Sequence, residues 1–275
     1  MSKIAVNYAE RMSNIAVNYA ERFLLFGKTW RYLRYLHLRE YVAKVADDIQ
    51  TICVCGSGHG MAELLIAIEF PHLTITLTDI VNREKGYPNY YRAMDVAWRQ
   101  EIDNLRFSIW NVLVPTRRSF DLVASTEMLE HIENDRLAAE NMRKAASKYV
   151  YCLVPYSDEE RNANLAERER VLKSHEHFVC GYDAATLTKL FPGPIAISGA
   201  YWNDFGNKWR RAMEAMSKDE IENSLEELKT SASFDLIDRI PQKSGECLGI
   251  KIISKVQPSG GDDGDPAQVN VGVAQ

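Results

Sequence analysis

The feature that most constrains this chain is an alternation. Between Thr51 and Val154, short apolar runs of strand length take turns with longer segments of helical character. The predicted strands are Thr51–Cys55, Leu73–Thr78, Leu105–Trp110, Phe120–Ser125 and Tyr149–Val154, with Ile195–Tyr201 and Leu248–Val256 after them. The predicted helices are Gly58–Phe70, Tyr90–Gln100, Asn134–Ala146 and Asp183–Leu190, and Pro71, Pro155 and Pro192 act as stops. Strands that are apolar along their whole length need cover on both faces, and helical crossovers supply it. The expected fold is α/β: a doubly wound, mostly parallel, seven-stranded sheet.

The 275 residues suffice for one such domain with insertions. Residues 1–27 form an N-terminal segment in which Ile4–Arg11 recurs as Ile15–Arg22. Two copies are too few for a solenoid. We read them as a duplicated start, with Met12 an equivalent beginning and the second copy the structural one. Residues 28–256 are assigned to the main domain, opened by a helix over 28–48 with an apolar stripe at Leu33, Leu36, Tyr41, Val42 and Val45. Arg31, Arg34, His37 and Arg39 interleave there with Trp30, Tyr32 and Tyr35. The reading favoured for them is a solvated helix face rather than an anion patch. Residues 156–181 and 203–244 exceed the minimal alternation and are expected to cover the sheet's edge. Within the second, Ser217-x-x-Glu220 has the form of a capping box. Residues 257–275, rich in Gly, Pro and Asp, read as a solvated tail.

A formal net charge of −5 makes the chain a poor generic binder of phosphate backbones, which disfavours nucleic acid as a partner. The five cysteines include no Cys-x-x-Cys pair, so they are expected as buried thiols in a reducing compartment. No apolar run has signal-peptide or membrane-span character. The expectation is a cytoplasmic protein without a membrane partner, its oligomeric state left open.

Chemistry concentrates where strands end. Cys55-Gly56-Ser57-Gly58-His59-Gly60 follows the first strand and opens a helix, a turn that lets a ligand approach bare backbone. Dinucleotide-binding proteins use such turns too, but with Gly-x-Gly-x-x-Gly spacing; here the third glycine comes one residue early. Asp79 follows the second strand, where an acidic side chain can accept ribose hydroxyls. Trp110 and Asn111 follow the third, an aromatic that can stack on a base and an amide that can pair with its edge. After the fourth strand stands Glu127-Met128-Leu129-Glu130-His131, and after the fifth His175-Glu176-His177. In a helical turn residues 127, 130 and 131 share one face. Two carboxylates and one or two imidazoles suit Mg²⁺, Mn²⁺, Fe²⁺ or Zn²⁺, and a neutral histidine can take a proton from a hydroxyl.

In this order and spacing the motifs resemble those of the class I S-adenosylmethionine (SAM) methyltransferases, over roughly residues 45–200 and the last strand. That resemblance implies a Rossmann-like sheet with an antiparallel last strand, SAM as cofactor, and Cys55, Gly56, Gly58, Gly60, Asp79, Trp110, Asn111 and Glu127 around it. One position departs: the acidic residue often found two before the first glycine is Val54 here. Glu-Met-Leu-Glu-His resembles the string in ubiquinone-pathway O-methyltransferases. With the downstream His-x-His it is also similar to small-RNA 3′-terminal 2′-O-methyltransferases, whose two glutamates and two histidines hold a divalent metal. Carried over, the metal ligands are Glu127, Glu130, His131 and His177, with His175 competing for the last place, and Glu130, His131 and His177 are the catalytic candidates. The small-RNA enzymes continue with a Phe-Glu-Trp-type motif where this chain has Phe178-Val179-Cys180-Gly181-Tyr182.

The function expected on these grounds is SAM-dependent O-methylation of a small molecule or glycan, with Mg²⁺ or another divalent ion assisting. The alternatives are RNA 2′-O-methylation, metal-free N- or carboxyl-methylation, and a binding module of the same fold without catalysis. The arginines and lysines of the covers (Arg161, Arg168, Arg170, Lys208, Arg210, Arg211) offer contacts for an anionic acceptor, though solvated helix faces account for them as well.

Overall fold

The structure, a computed structural model, describes residues 14–24, 29–82, 86–200, 217, 220, 241–242, 247 and 249–256. Seven strands form one sheet: β1 (Thr51–Cys55), β2 (Thr74–Asp79), β3 (Leu105–Ile109), β4 (Phe120–Thr126), β5 (Ala146–Val154), β6 (Pro194–Ala200) and β7 (Gly249–Lys255). Their order is β3-β2-β1-β4-β5-β7-β6. The first five pair in parallel, and β7 runs antiparallel to both β5 and β6. The expected doubly wound α/β sheet is therefore present. Its order reverses between β1 and β4, and in open sheets that reversal opens a crevice at the carboxyl ends of the strands.

On one face lie α1 (residues 14–24), α2 (Thr29–Val45), α3 (Met61–Glu69) and α4 (Tyr91–Arg99); on the other lie α5 (Asp135–Ala145) and α8 (Ala184–Leu190). Between them in sequence, α6 (Glu159–Ala163) and α7 (Leu165–His175) form an excursion whose base is closed by a bridge between Tyr156 and Tyr182. The strands feed both cores by alternation. Ile52, Val54, Tyr151 and Leu153 pack toward α2 and α3, while Cys53, Cys55, Val150 and Cys152 pack toward α5. Each fully buried Leu or Ile in these layers contributes roughly 1.5–3 kcal/mol. The cysteines are free; four are buried and Cys247 is half-buried.

Several boundaries move for local reasons. α3 begins at Met61 rather than Gly58, because Gly58 and Gly60 have left-handed backbones that a helix cannot include. β5 begins at Ala146, leaving α5 without a loop, since Ala146 itself turns extended at ψ 133°. The polar face assigned to α2 is a larger correction. Tyr32, Tyr35 and His37 are buried there, Arg39 pairs with Glu69, and Arg34 turns inward to the end of β4. In the 156–181 cover, Arg161 and Arg170 both pair with Glu167, so these two arginines hold the cover together. The capping box is formed: the Glu220 carboxylate accepts from Ser217 N–H at 2.7 Å, and Ser217 Oγ accepts from Glu220 N–H at 3.3 Å. α1 is the second copy of the repeat, with Ala16 and Ala20 fully buried. The first copy, most of residues 203–244 and the tail 257–275 lie outside the described residues. Among the described residues, no helix is long and apolar enough to cross a membrane.

Candidate active site

The crevice floor is the turn after β1. Gly56, Gly58 and Gly60 all have positive φ (64°, 54° and 72°), which only glycine adopts without cost. Two of them are also needed for packing. A Cβ on Gly56 would come within 2.6 Å of the Met128 side chain, and one on Gly60 within 2.3 Å of Leu77. A Cβ on Gly58 would meet nothing within 4 Å. Its backbone lies bare at the cleft. Cys55, by contrast, is packed in the α5 core, so it can offer a ligand only its backbone.

Asp79 braces this turn. Its carboxylate accepts from Gly58 N–H at 3.1 Å and from Ile80 N–H at 2.8 Å. Burial pushes its pKa up, opposed by those two donors. Each oxygen keeps a second lone pair for a ligand hydroxyl. The Trp110 backbone N–H donates to the Asp79 backbone carbonyl at 3.2 Å, and its indole Nε1–H donates to Val114 O at 2.8 Å. The Asn111 side-chain oxygen accepts from Leu113 N–H at 3.0 Å, which orients the amide and leaves its nitrogen and one oxygen lone pair for base recognition.

Above the turn is a cleft of about 200 Å³, walled by Phe23 and Leu24 of α1, Arg31, Arg34 and Tyr35 of α2, and Thr126 and Glu127 after β4. Asp79, Trp110 and Asn111 do not line it; Trp110 faces a separate hollow of about 170 Å³ with Thr78 and Arg118. No motif or periodicity in the chain marks α1 and α2 as the cleft's outer wall. Phe23 packs on the His59 ring, centroids 5.0 Å apart, and Arg34 makes an ion pair with Glu127 across the cleft.

Glu127 has φ 52°, left-handed and rare for a residue with a side chain. It is followed by a single 3₁₀ turn, Leu129–His131. The regular helical face expected for residues 127, 130 and 131 therefore does not form: Glu127 pairs with Arg34, and its carboxyl also hydrogen-bonds that of Glu130. Burial pushes Glu127 up to about 7, with Arg34 opposing, and pushes Glu130 well above the usual carboxylate range, with the Glu127 charge adding to it. The two carboxyls, buried and in contact, oppose each other's ionisation.

Glu130, His131 and His177 do converge, with potential ligand atoms all within 4.8 Å of one another. Glu130 is fully buried; its carboxyl leans on that of Glu127 and on its own backbone N–H, and among the described residues neither oxygen has a hydrogen bond of good geometry. His131 Nε2 lies 4.0 Å from Glu130 Oε1, and the His131 ring also donates to the Glu176 carbonyl. The His131 and His177 rings stand edge to face, 4.4 Å apart. Phe178 N–H donates to Glu130 O at 2.8 Å, and the left-handed Glu176 (φ 58°) ends α7, so the chain delivers His177 rather than His175. His175 stays exposed. Burial lowers the pKa of both His131 and His177, the latter to about 4, so both rings are neutral at pH 7 and able to bind a metal.

The reversed strand order, the glycine turn, Asp79 and the antiparallel β7 together define a fold class, that of the SAM-dependent methyltransferases. Solved structures agree. A protein from Galdieria sulphuraria described as a sarcosine dimethylglycine methyltransferase superposes with a TM-score of 0.54 at 12% identity, covering 80% of this chain and 85% of that one. Coclaurine N-methyltransferase bound to N-methylheliamine and S-adenosylhomocysteine (SAH) gives 0.53 at 12% identity, with 80% and 70% covered. Geranyl diphosphate methyltransferase in complex with SAM gives 0.53 at 10% identity, with 76% and 78% covered. No protein-family model matches the chain, and no curated protein sequence matches it.

Proposed function

We propose that this chain is a SAM-dependent methyltransferase that methylates a hydroxyl of a small molecule or glycan, with a divalent ion held by Glu130, His131 and His177. The bare Gly58 backbone and the spare lone pairs of Asp79 fit SAM, as does the crevice at the strand reversal. When bound, SAM supplies the sulfonium methyl. Gly58 would give it backbone to lie against, Asp79, outside the walled cleft, would accept hydrogen bonds from its hydroxyls, and Phe23 and Leu24 would exclude water from the wall. The enclosed volume is small for a ligand of this size, so Arg34 and Glu127 must separate as it enters.

One observation carries the metal part. A fully buried carboxyl, which among the described residues has no well-aligned hydrogen-bond donor and leans on a second acid, Glu127, stands beside two neutral imidazoles, and such a group is costly unless something binds it. The hydrogen bond from His131 to Glu176 O fits too, since ligating imidazoles commonly anchor their other nitrogen on a carbonyl or carboxylate. Two nitrogens and one oxygen favour Mn²⁺, Fe²⁺ or Zn²⁺ over Mg²⁺. An ion here supplies Lewis acidity that lowers the pKa of an acceptor hydroxyl. A metal-free reading, N- or carboxyl-methylation among its reactions, rests on His131: its side chain is 43% accessible, and its lowered pKa keeps a nitrogen free to take a proton.

The test is calorimetric titration of the chelator-treated protein with SAH and, separately, with Mn²⁺ and Zn²⁺, in wild type and Glu130→Ala. The expected result is cofactor binding in both and metal heat in wild type alone. Cofactor binding without metal heat would reduce His131 to a base or orienting group. No cofactor binding would overturn the enzyme reading and leave a binding module.

A further inference from the structure

We propose that the acidic run Asp262-Asp263-Gly264-Asp265 docks in a basic cleft at the amino edge of the sheet, between α5 and α8. The cleft encloses about 890 Å³, and Ser147 and Val256 border it, at the start of β5 and just past the end of β7. It therefore lies at the opposite edge from the glycine turn. Arg136, Arg143 and Lys144 of α5 and Lys189 of α8 line it, against a single acid, Glu140. Lys144 is paired with Glu140 at 2.6 Å. Among the described residues, the side chains of Arg136, Arg143 and Lys189 make no ion pair or hydrogen bond, although Arg136 and Arg143 lie close enough to Glu140 to lower its pKa. This is a concentration of positive charge in a chain whose formal net charge is −5.

Helix ends explain part of it. Arg143, Lys144 and Lys189 sit in last turns, where a cation is favoured by the helix dipole. Arg136 sits in the first turn of α5, where it is not. An anion in the cleft accounts for all four. The chain supplies one, because it leaves β7 here: Val256 lines the cleft, and residues 257–275 contain Asp262, Asp263 and Asp265 but no Lys, Arg or His. Asp262 is six residues beyond Val256, within ~20 Å fully extended and ~13 Å on average for a glycine-rich linker. Tethering at that length gives an effective concentration on the order of millimolar, enough for individually weak exposed ion pairs to keep the cleft occupied. Other anions that fit the same charges, free phosphate above all, are outcomes of the test.

The experiment uses the full-length ¹⁵N-labelled chain and the heteronuclear NOE of the Gly260, Gly261 and Gly264 amides. At about 20 mM salt the Gly264 value should lie in the folded range, and it should fall at about 0.5 M, where the Debye length is only a few ångströms. Arg143→Glu with Lys189→Glu should release the run at low salt, and adding Asp262→Lys and Asp263→Lys should restore it. Inorganic phosphate at constant ionic strength should bind wild type about tenfold more weakly than the Asp262→Asn, Asp263→Asn, Asp265→Asn chain, if the run occupies the cleft about nine-tenths of the time. A mobile Gly264 in wild type at low salt, or an ordered one that ignores the charge reversal, overturns the proposal. Equal phosphate binding by the two chains makes this a site for free anions and overturns it as well.

Discussion

Gly58 and Gly60 share a left-handed backbone but differ in what surrounds them, so alanine at each should separate folding from binding. At Gly60 the new methyl would lie 2.3 Å from Leu77 Cδ2 and 2.9 Å from Ala93 Cβ, both in the core under α4. The left-handed conformation costs an alanine about 1–2 kcal/mol, and overpacking a filled core adds about 1–3 kcal/mol. Gly60→Ala should therefore lose about 2–5 kcal/mol. At Gly58 only the conformational cost of about 1–2 kcal/mol applies, because the methyl meets nothing within 4 Å. That methyl projects where the cofactor must approach the backbone. Urea unfolding followed by circular dichroism, with SAH titration under native conditions, reads both effects. Gly58→Ala should fold almost as well as wild type yet bind SAH at least tenfold more weakly, on the order of 1.4 kcal/mol. Unchanged SAH affinity in Gly58→Ala would refute the placement of the cofactor against this turn. Equal destabilisation by the two substitutions would refute the packing argument.

Other perturbations test the neighbouring elements. Arg34→Met strands the Glu127 carboxylate and should cost about 2–4 kcal/mol, somewhat under the range for a fully buried pair because Arg34 is 20% exposed; Glu127→Gln in the same chain should recover more than half of that in urea unfolding. His37 is buried, among the described residues neither ring nitrogen has a hydrogen-bond partner, and burial plus the nearby Lys251 lowers its pKa to about 3. Because the folded value lies below the unfolded one, stability is fully present above about pH 6.5 and is lost as pH falls toward the folded value. The loss is at most roughly 4–5 kcal/mol, so His37→Phe should move the acid-unfolding midpoint to lower pH, and an unmoved midpoint would count against it. If Glu130 binds a metal it must surrender its proton, so Zn²⁺ titration at pH 7 in two buffers of different ionisation enthalpy should report proton release, absent in Glu130→Gln.

The strands were legible because most of them are buried on both sides. Ile52-Cys53-Val54-Cys55 reads as an unbroken apolar run since successive residues enter different cores. β5 was read three residues short because Ala146-Ser147-Lys148 carries no apolar signal and owes its extension to pairing with β4. The three glycines were legible from spacing alone, and the structure gives each a positive φ. Site geometry was legible only as far as the backbone stayed regular. Two left-handed residues, Glu127 and Glu176, decide which carboxylate leaves the cluster of converging side chains and which histidine enters it, and single αL residues carry no signature when they are not Gly or Asn. Arg34 was read as solvated because a helix's periodicity says which residues share a face, not which surface that face will meet.

The left-handed Glu127 carries more of this architecture than any other residue at the edge of β4. Had the chain continued helically after Thr126, Glu127, Glu130 and His131 would have projected together, and two acids would have crowded one histidine in a closed space. The reversal at φ 52° costs on the order of 1–2 kcal/mol, and Glu127 N–H, donating to Leu153 O at 2.7 Å, helps hold it. In return the two carboxyls, still hydrogen-bonded to each other, face two ways. Glu127 meets the cleft wall, where the charge on Arg34 lowers its pKa, and Glu130 goes under the imidazoles, where burial raises its own. The division also joins the sites: Arg34 lowers the pKa of Glu127, and the charge on Glu127 raises that of Glu130. A ligand that draws Arg34 away from Glu127 therefore changes the proton affinity of the Glu130 site. SAH binding should shift the pH dependence of Zn²⁺ affinity in wild type and leave it unshifted in Glu127→Gln, a coupling that two independent sites would not show.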